Sequence, residues 1–331
     1  MRNGNTKYQE GQVIFSTMDN RFPKKFSYNS DCLVLLAACL VPSVLFNGIG
    51  GVKVIAASVV TAVLTDLFGT LILSGDVTLS DRSAVITGFS VAMLLSGSVP
   101  VYVASIAAFV AVAVGKLPFG RWDRAPFVPA AVGTGFVCVI YPDICFSYPA
   151  PFTGAADTAE SLAMMLKNGN SVNMTAPGVL NVLVGNCPGQ IGTTCGIFFA
   201  ACLVYYLIRN IDSFIVSAGF ISVCFLFAAL FPRVPSGRRT SVLMELCGGA
   251  LLFTAVFLMT YPNVKFRSVN FALYYGMTGG AVYMLIRYFG AFEDGAPFAV
   301  LIMNALSPLF SGGNRVFSSN GRETDAGEGG A

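Results

Sequence analysis

The chain has 331 residues, 55% of them hydrophobic and only 11% charged, and its formal net charge is +3. Soluble domains carry about 25% charged residues, so the pair of soluble domains that the length alone would suit is excluded. The charge is too small, and the basic residues too scattered between apolar runs, for a nucleic-acid partner.

Residues 1–31 form a polar N-terminal segment, and ten apolar runs follow it at 32–47, 52–74, 83–98, 100–116, 127–142, 190–209, 211–231, 241–260, 270–287 and 295–311. A helix needs about 20 apolar residues to cross the hydrocarbon core. The third and fourth runs are short and separated by little more than Pro100. The sequence therefore predicts an all-α integral membrane protein of about ten transmembrane helices. The first run is not read as a signal peptide, because about thirty polar residues precede it and no small-residue cleavage site follows. Residues 312–331 are Gly, Ser and charge, and read as a disordered tail.

Lys and Arg cluster on the cytoplasmic side of membrane proteins. With the N-terminus inside, fourteen of the twenty fall in inner segments, and six (Lys53, Lys167, Arg233, Arg238, Arg239 and Arg287) fall in outer ones. Both termini are thus expected in the cytoplasm, and the long connection 143–189 outside. The runs also repeat. Lys116-Leu-Pro-Phe-Gly120 is followed by Asp123-Arg-Ala-Pro-Phe127, and Arg287-Tyr-Phe-Gly290 by Asp294-Gly-Ala-Pro-Phe298. Each stretch leads into the last run of its half, and Thr87-Gly88 and Gly248-Gly249 hold matching places upstream. Two halves of five runs, 32–142 and 190–311, must insert with opposite orientation. Such inverted repeats commonly hold a substrate site at their interface.

Few residues can carry chemistry. Histidine is absent, which removes the usual proton relay near neutrality and excludes Ser-His-Asp and Cys-His centres. The nine cysteines show no C-x-x-C spacing. Seven lie in or beside apolar runs and read as small hydrophobes. Cys145 and Cys187 share the 143–189 connection, where a disulfide would form if it faces an oxidising side.

Intramembrane acids are functional suspects because burying their charge is costly. Asp66, late in the second run, is the candidate for an ion path. Glu245, four residues into the eighth, reads more readily as a boundary residue. The helical glycines read as sites of close helix approach, with room for a flat isoalloxazine ring as the alternative. Phe152-Thr153-Gly154-Ala155-Ala156-Asp157-Thr158 reads locally as a polar turn, with Asp157 or Thr158 capping a helix that starts near Ser161.

From about residue 30 to 311 the chain resembles the RnfD family of Rnf-complex membrane subunits, which is related to the NqrB component of the sodium-pumping NADH:quinone reductase. The resemblance rests on Ser80-Asp81-Arg82-Ser83 through Thr87-Gly88, Lys116 with Phe119-Gly120, Phe127-Val128-Pro129-Ala130, Gly189-Gln-Ile-Gly192-Thr193-Thr194-Cys195, Met259-Thr260-Tyr261-Pro262, and the run from Leu285-Ile286-Arg287 to Ser307-Pro308. It implies a multi-pass subunit in the inner (plasma) membrane of a prokaryote. That protein would sit among other Rnf-type subunits, within a complex coupling ferredoxin/NAD electron transfer to Na+ or H+ movement. It further implies FMN, joined by a flavin transferase through a phosphoester to the last threonine of a Ser/Thr-Gly-Ala-Thr motif. Thr153, Gly154 and Ala155 match that motif, but the acceptor position is Ala156, which has no hydroxyl. Thr158, two residues on, offers one, and a noncovalent flavin between helices is the other option. The family's acids in Gly-Glu-Thr-Ser and Thr-Asp-Pro are replaced here by Thr193 and Tyr261. A small-solute transporter of urea-channel type, or a cofactor-free structural subunit, is the alternative reading.

Overall fold

The computed structural model describes residues 28–74, 82–120, 125–151, 158–168, 176–233, 237–264, 266 and 268–310. Residues 1–27 of the N-terminal segment, the C-terminal segment 312–331, and residues 153–156 of the expected flavin motif lie outside the described residues. The fold is helical. Among the described residues there is one sheet, a two-stranded pair of β1 (Tyr148–Pro149) with β2 (Thr158–Ala159).

The first two apolar runs form one long hydrogen-bonded unit, α1 (Tyr28–Ser74), broken in direction at Gly48. There φ is 56° and ψ −145°, a conformation open to glycine because it lacks Cβ. Next come α2 (Ser83–Met93), α3 (Val101–Ala113) and α4 (Pro129–Ile140). The third run is helical only to Met93. Residues 94–100 leave the helix and pair with the segment before the sixth run. Ile191 N–H donates to Leu95 O at 2.9 Å, and Gly192 N–H to Met93 O at 3.0 Å. This pairing is why the sixth run, expected from 190, becomes helical only at Gly196.

The 143–189 connection is structured around α5 (Pro142–Cys145), the strand pair, α6 (Leu162–Lys167) and α7 (Ala176–Val184). Ser161 caps α6 by accepting from Met164 N–H at 3.0 Å. The expected cap at Asp157 or Thr158 is thus corrected, since Thr158 lies in β2, paired with Pro149. Cys145 and Cys187 are both free thiols, so the conditional disulfide is not formed.

The second half holds α8 (Gly196–Arg209), α9 (Ile211–Leu230), α10 (Arg238–Cys247), α11 (Leu251–Phe253), α12 (Val269–Phe289) and α13 (Ala296–Leu306). A π-helical stretch, Thr254–Leu258, continues α11. The eighth run is therefore two helices meeting at 58° across Gly248–Ala250.

By length and apolarity Ser30–Leu73, Val101–Phe119 and Ile211–Leu230 can each cross a membrane, and the bent pair adds a fourth span. Shorter apolar helices at Ser83–Met93, Pro129–Ile140, Gly196–Arg209 and Ala296–Leu309 complete the layer. Large apolar side chains such as Val41, Ile49, Ile72 and Leu226 face outward from it. This is an all-α, multi-pass membrane protein.

Packing in the halves follows one plan. In the first, α1 lies along α2 and α3, and α3 along α4; in the second, α9 lies along α10 and α12, and α12 along α13. The close contacts are made by glycine. A Cβ on Gly133 of α4 would stand 2.1 Å from Ala107 O of α3, and one on Gly276 of α12 would stand 2.2 Å from Val216 O of α9. Lipid tails are as apolar as leucine, so membrane helices associate through such close packing rather than through the hydrophobic effect. The last helices of the halves, α4 and α13, meet each other. Near them Asn263 donates to Pro126 O at 3.2 Å and to Asn304 Oδ1 at 3.1 Å, tying the halves together.

Candidate functional site

A buried polar cluster gathers where α10 breaks. A broken helix leaves backbone N–H and C=O groups without partners, which an apolar surrounding makes expensive. Two charged side chains supply them here. Arg287, near the end of α12, donates from Nη1 to Gly248 O at 2.8 Å. Asp294, between α12 and α13, accepts the Ala250 N–H through Oδ2. Gly249 sits between them with φ +69°, and a Cβ there would stand 2.6 Å from Asp294 Oδ2.

Asp294 is the hub. Its Oδ1 accepts the Tyr283 hydroxyl at 2.9 Å and the Ala296 N–H at 3.1 Å, so it also caps α13. Gln190 Nε2 approaches Oδ2 at 3.4 Å from the segment that pairs with the first half. One carboxylate therefore holds the broken helix, α12, α13 and the link between the halves.

Glu245 carries the charge balance. It is fully buried, with Oε2 2.9 Å from Arg287 Nε and Oε1 2.9 Å from Arg233 Nε. The boundary reading of Glu245 is corrected: its carboxylate is shared by two arginines instead of reaching the interface. Arg233 lies in the connection after α9, as expected, whereas Arg287 lies within α12 and is buried there. Arg287 is 2% exposed, and the partly buried Arg233 guanidinium lies 3.7 Å over the Tyr288 ring, a cation–π contact.

Beside this cluster the 143–189 connection docks. Ser161 donates from Oγ to Glu293 Oε2 at 3.0 Å, and the Lys167 ammonium donates to the carbonyls of Gly290 and Ala291. Between these two anchors Leu162 and Leu166 of α6 pack with Val182, Cys187, Met244 and Cys247. Burial pushes the Glu293 carboxyl above its ordinary range; Tyr148 and Ser161 pull it back, Asp294 pushes it further and Arg287 lowers it. Burial also pushes the Tyr148 phenol well up, and Glu293 beside it adds to the effect.

Asp66 lies elsewhere. Its carboxylate is paired with Lys116, whose Nζ is 2.9 Å from both oxygens. Lys116 is 3% exposed, so the pair is set into the contact between α1 and the end of α3. The structure thus separates the sequence's candidates: Asp66 on the first half, Thr158 on the strand pair of the connection. Glu293, Gln190, Tyr283 and the roles of the two arginines were missed. The repeat that matches Lys116 to Arg287 held the one clue, since each residue ends its half's fourth helix and each is buried against an acid.

The NQR2, RnfD, RnfE family model matches residues 24–315. The chain is 25% identical over 289 residues to the D subunit of the proton-translocating ferredoxin:NAD(+) oxidoreductase complex of Clostridium ljungdahlii, covering 85% of this chain and 87% of that protein. It is 25% identical over 283 residues to the D subunit of the Na(+)-translocating ferredoxin:NAD(+) oxidoreductase complex of Acetobacterium woodii, covering 84% and 85%. Over 266 residues it is 27% identical to the D subunit of the ion-translocating oxidoreductase complex of Ectopseudomonas mendocina, covering 75% and 78%.

Proposed function

The chain belongs to the NQR2, RnfD, RnfE family, and from that premise we propose that it is the RnfD component of an Rnf-type complex, which couples ferredoxin/NAD electron transfer to movement of Na+ or H+. The observation that carries this reading is the breadth of the match, which takes in both helical halves and the connection between them. The chain alone catalyses nothing. Its partners are the other subunits of such a complex, and its place is the inner membrane with both termini in the cytoplasm. The shared packing plan of the two halves supports an inverted repeat of five spans each. In that orientation the 143–189 connection, Glu293 and the Glu245 cluster stand on the outer side.

FMN belongs to the same reading. The group would supply one-electron redox chemistry that a histidine-free chain lacks, leaving the protein to provide position and electrostatics. The family's acceptor position does not fit a phosphoester, because Ala156 has no hydroxyl. Thr158, or Thr153 at the head of Thr153-Gly154-Ala155, is the threonine left to a flavin transferase near the motif. Asp66 enters as an ion-path carboxylate, whose exchange with a passing cation would have to compete with Lys116.

Co-purification tests the main reading. A tagged chain from cells making the other subunits should bring them down in fixed ratio; a chain that always isolates alone would overturn it. Solute flux through liposomes holding only this chain would favour a channel instead. Flavin fluorescence of the denatured band, after co-expression with a flavin transferase, tests the cofactor. A fluorescent band mapped to Thr158 or Thr153 by peptide mass supports covalent attachment, and a dark band removes it.

A further inference from the structure

The three acids of the second half differ in what surrounds them. Glu245 faces two arginines, and Asp294 accepts four N–H and O–H donors. Glu293 is held by hydroxyls, Ser161 from the start of α6 and Tyr148 from β1. The charged groups that bear on it are Asp294 in its own connection and Arg287 from α12. From the α6 side, Lys167 is spent on the backbone carbonyls of Gly290 and Ala291, and exposed Glu160 bonds Asn168.

A charge count sharpens the contrast. Arg233 and Arg287 are already matched by Glu245 and Asp294. An ionised Glu293 would add a buried negative charge with no cation of its own, which is costly away from water. As a carboxylic acid it accepts the hydroxyls and adds no charge beside Asp294.

Ser161 is used twice. Its Oγ accepts from Met164 N–H, fixing the first turn of α6, and donates to Glu293. Lys167 fixes the other end of the same helix to the same connection. Thr158 lies three residues before Ser161, in the strand paired with Tyr148–Pro149. Whatever holds Ser161 and Tyr148 therefore holds the two strands on either side of residues 152–157 in the sequence.

We propose that Glu293 is a positioning residue: holding a proton, it clasps α6 and the strand pair to the α12–α13 connection, and losing that proton releases them. Its link to redox chemistry rests on the RnfD reading, whereas the clasp itself rests on the contacts alone. The sign follows from burial. A carboxyl raised in the folded state gives a contact fully present below the ordinary carboxylate value, about 4.3, and lost as pH rises through Glu293's own higher value.

Cys187 reports the clasp. It lies in the apolar cluster with Leu162 and Leu166, is 8% exposed, and burial has its thiol pushed up to about 12. Its alkylation by a membrane-impermeant maleimide is followed by peptide mass on the full chain in detergent, from about pH 4.5 to about pH 9. Wild type is compared with Glu293→Gln and Glu293→Ala. Glutamine keeps acceptor oxygen without charge, so dividing by its rate at each pH removes the thiol's own titration. The wild-type ratio should be near one at the acid end and climb to roughly threefold or more as the helix opens locally. Glu293→Ala should label fast throughout. A flat wild-type ratio overturns the clasp, even if the alanine variant fails to fold. Electron transfer by the assembled complex is read in parallel. A rising ratio with unaltered electron transfer in Glu293→Ala would leave the clasp standing and remove its link to the redox loop.

Discussion

Replacing Glu245 by glutamine keeps the shape of the side chain and removes the one charge that two arginines share. Breaking a buried ion pair by deleting one partner costs about 3–5 kcal/mol, because the remaining charge is left uncompensated. Here the loss falls at the upper end, since Arg287 and Arg233 each stand 2.9 Å from the same carboxylate. That corresponds to a fall in melting temperature of roughly 5–10 °C for a chain of this size. The protein carries its own probe, because all nine cysteines are free and eight are buried. Unfolding can therefore be followed with a fluorogenic maleimide. Glu160→Gln is the control: its side chain is exposed, and its substitution should move the melt by about 1 °C or less. The double variant Glu245→Leu with Arg287→Met should recover part of the loss, because apolar replacement of a buried pair is often close to neutral. A Glu245→Gln protein that melts with the wild type would refute the assignment of Glu245 as the counter-charge of this cluster.

Asp294→Asn replaces a carboxylate oxygen by an amide that cannot accept, so the Ala250 or Ala296 N–H loses its partner. A loss of about 1–3 kcal/mol is expected, read in the same melt, and a stability equal to wild type would deny Asp294 its role as hub. Gly133→Ala sets a methyl 2.1 Å from Ala107 O, where backbone must give way. Overpacking of this kind costs about 1–3 kcal/mol or more and should lower the monodisperse yield on size exclusion, with Gly276→Ala behaving alike. Asp66→Asn weakens the Lys116 pair and should lower the melting temperature, and Lys116→Met in the same chain should restore part of it. Ion coupling in the assembled complex, measured beside the melt, should fall further than stability does if Asp66 lines a path.

What the sequence made legible was whatever is set by runs and spacing. Apolar length marked the membrane helices, and the Lys116 and Arg287 stretches marked the matching ends of two halves. Run length could not show where a helix stops inside an apolar stretch. Residues 94–98 are apolar or small enough to continue α2, yet they unwind because Gln190–Gly192 pair with them from far along the chain. The eighth run failed for the same reason, since Gly248-Gly249 marks a break only once Arg287 and Asp294 are seen to fill it. Glu245 was misjudged because its place near a helix end suggests water. Its partners come from α12 and from the connection after α9, and no local pattern announces them.

The two breaks solve one physical problem by different chemistry, and the difference has consequences. Past Met93 the freed carbonyls of Met93 and Leu95 are taken by the N–H groups of Gly192 and Ile191. Those backbone bonds carry no charge and do not titrate. At Gly248–Ala250 the freed groups are taken by Arg287 and Asp294, charged side chains that belong to a buried set completed by Glu245 and Arg233. A backbone closure holds at any pH, whereas a side-chain closure holds only while its charge count does. Of these two breaks, only the one in the second half is closed by groups that can gain or lose a proton. The break after Met93, closed by backbone alone, supplies a fixed frame against which such a change would be registered.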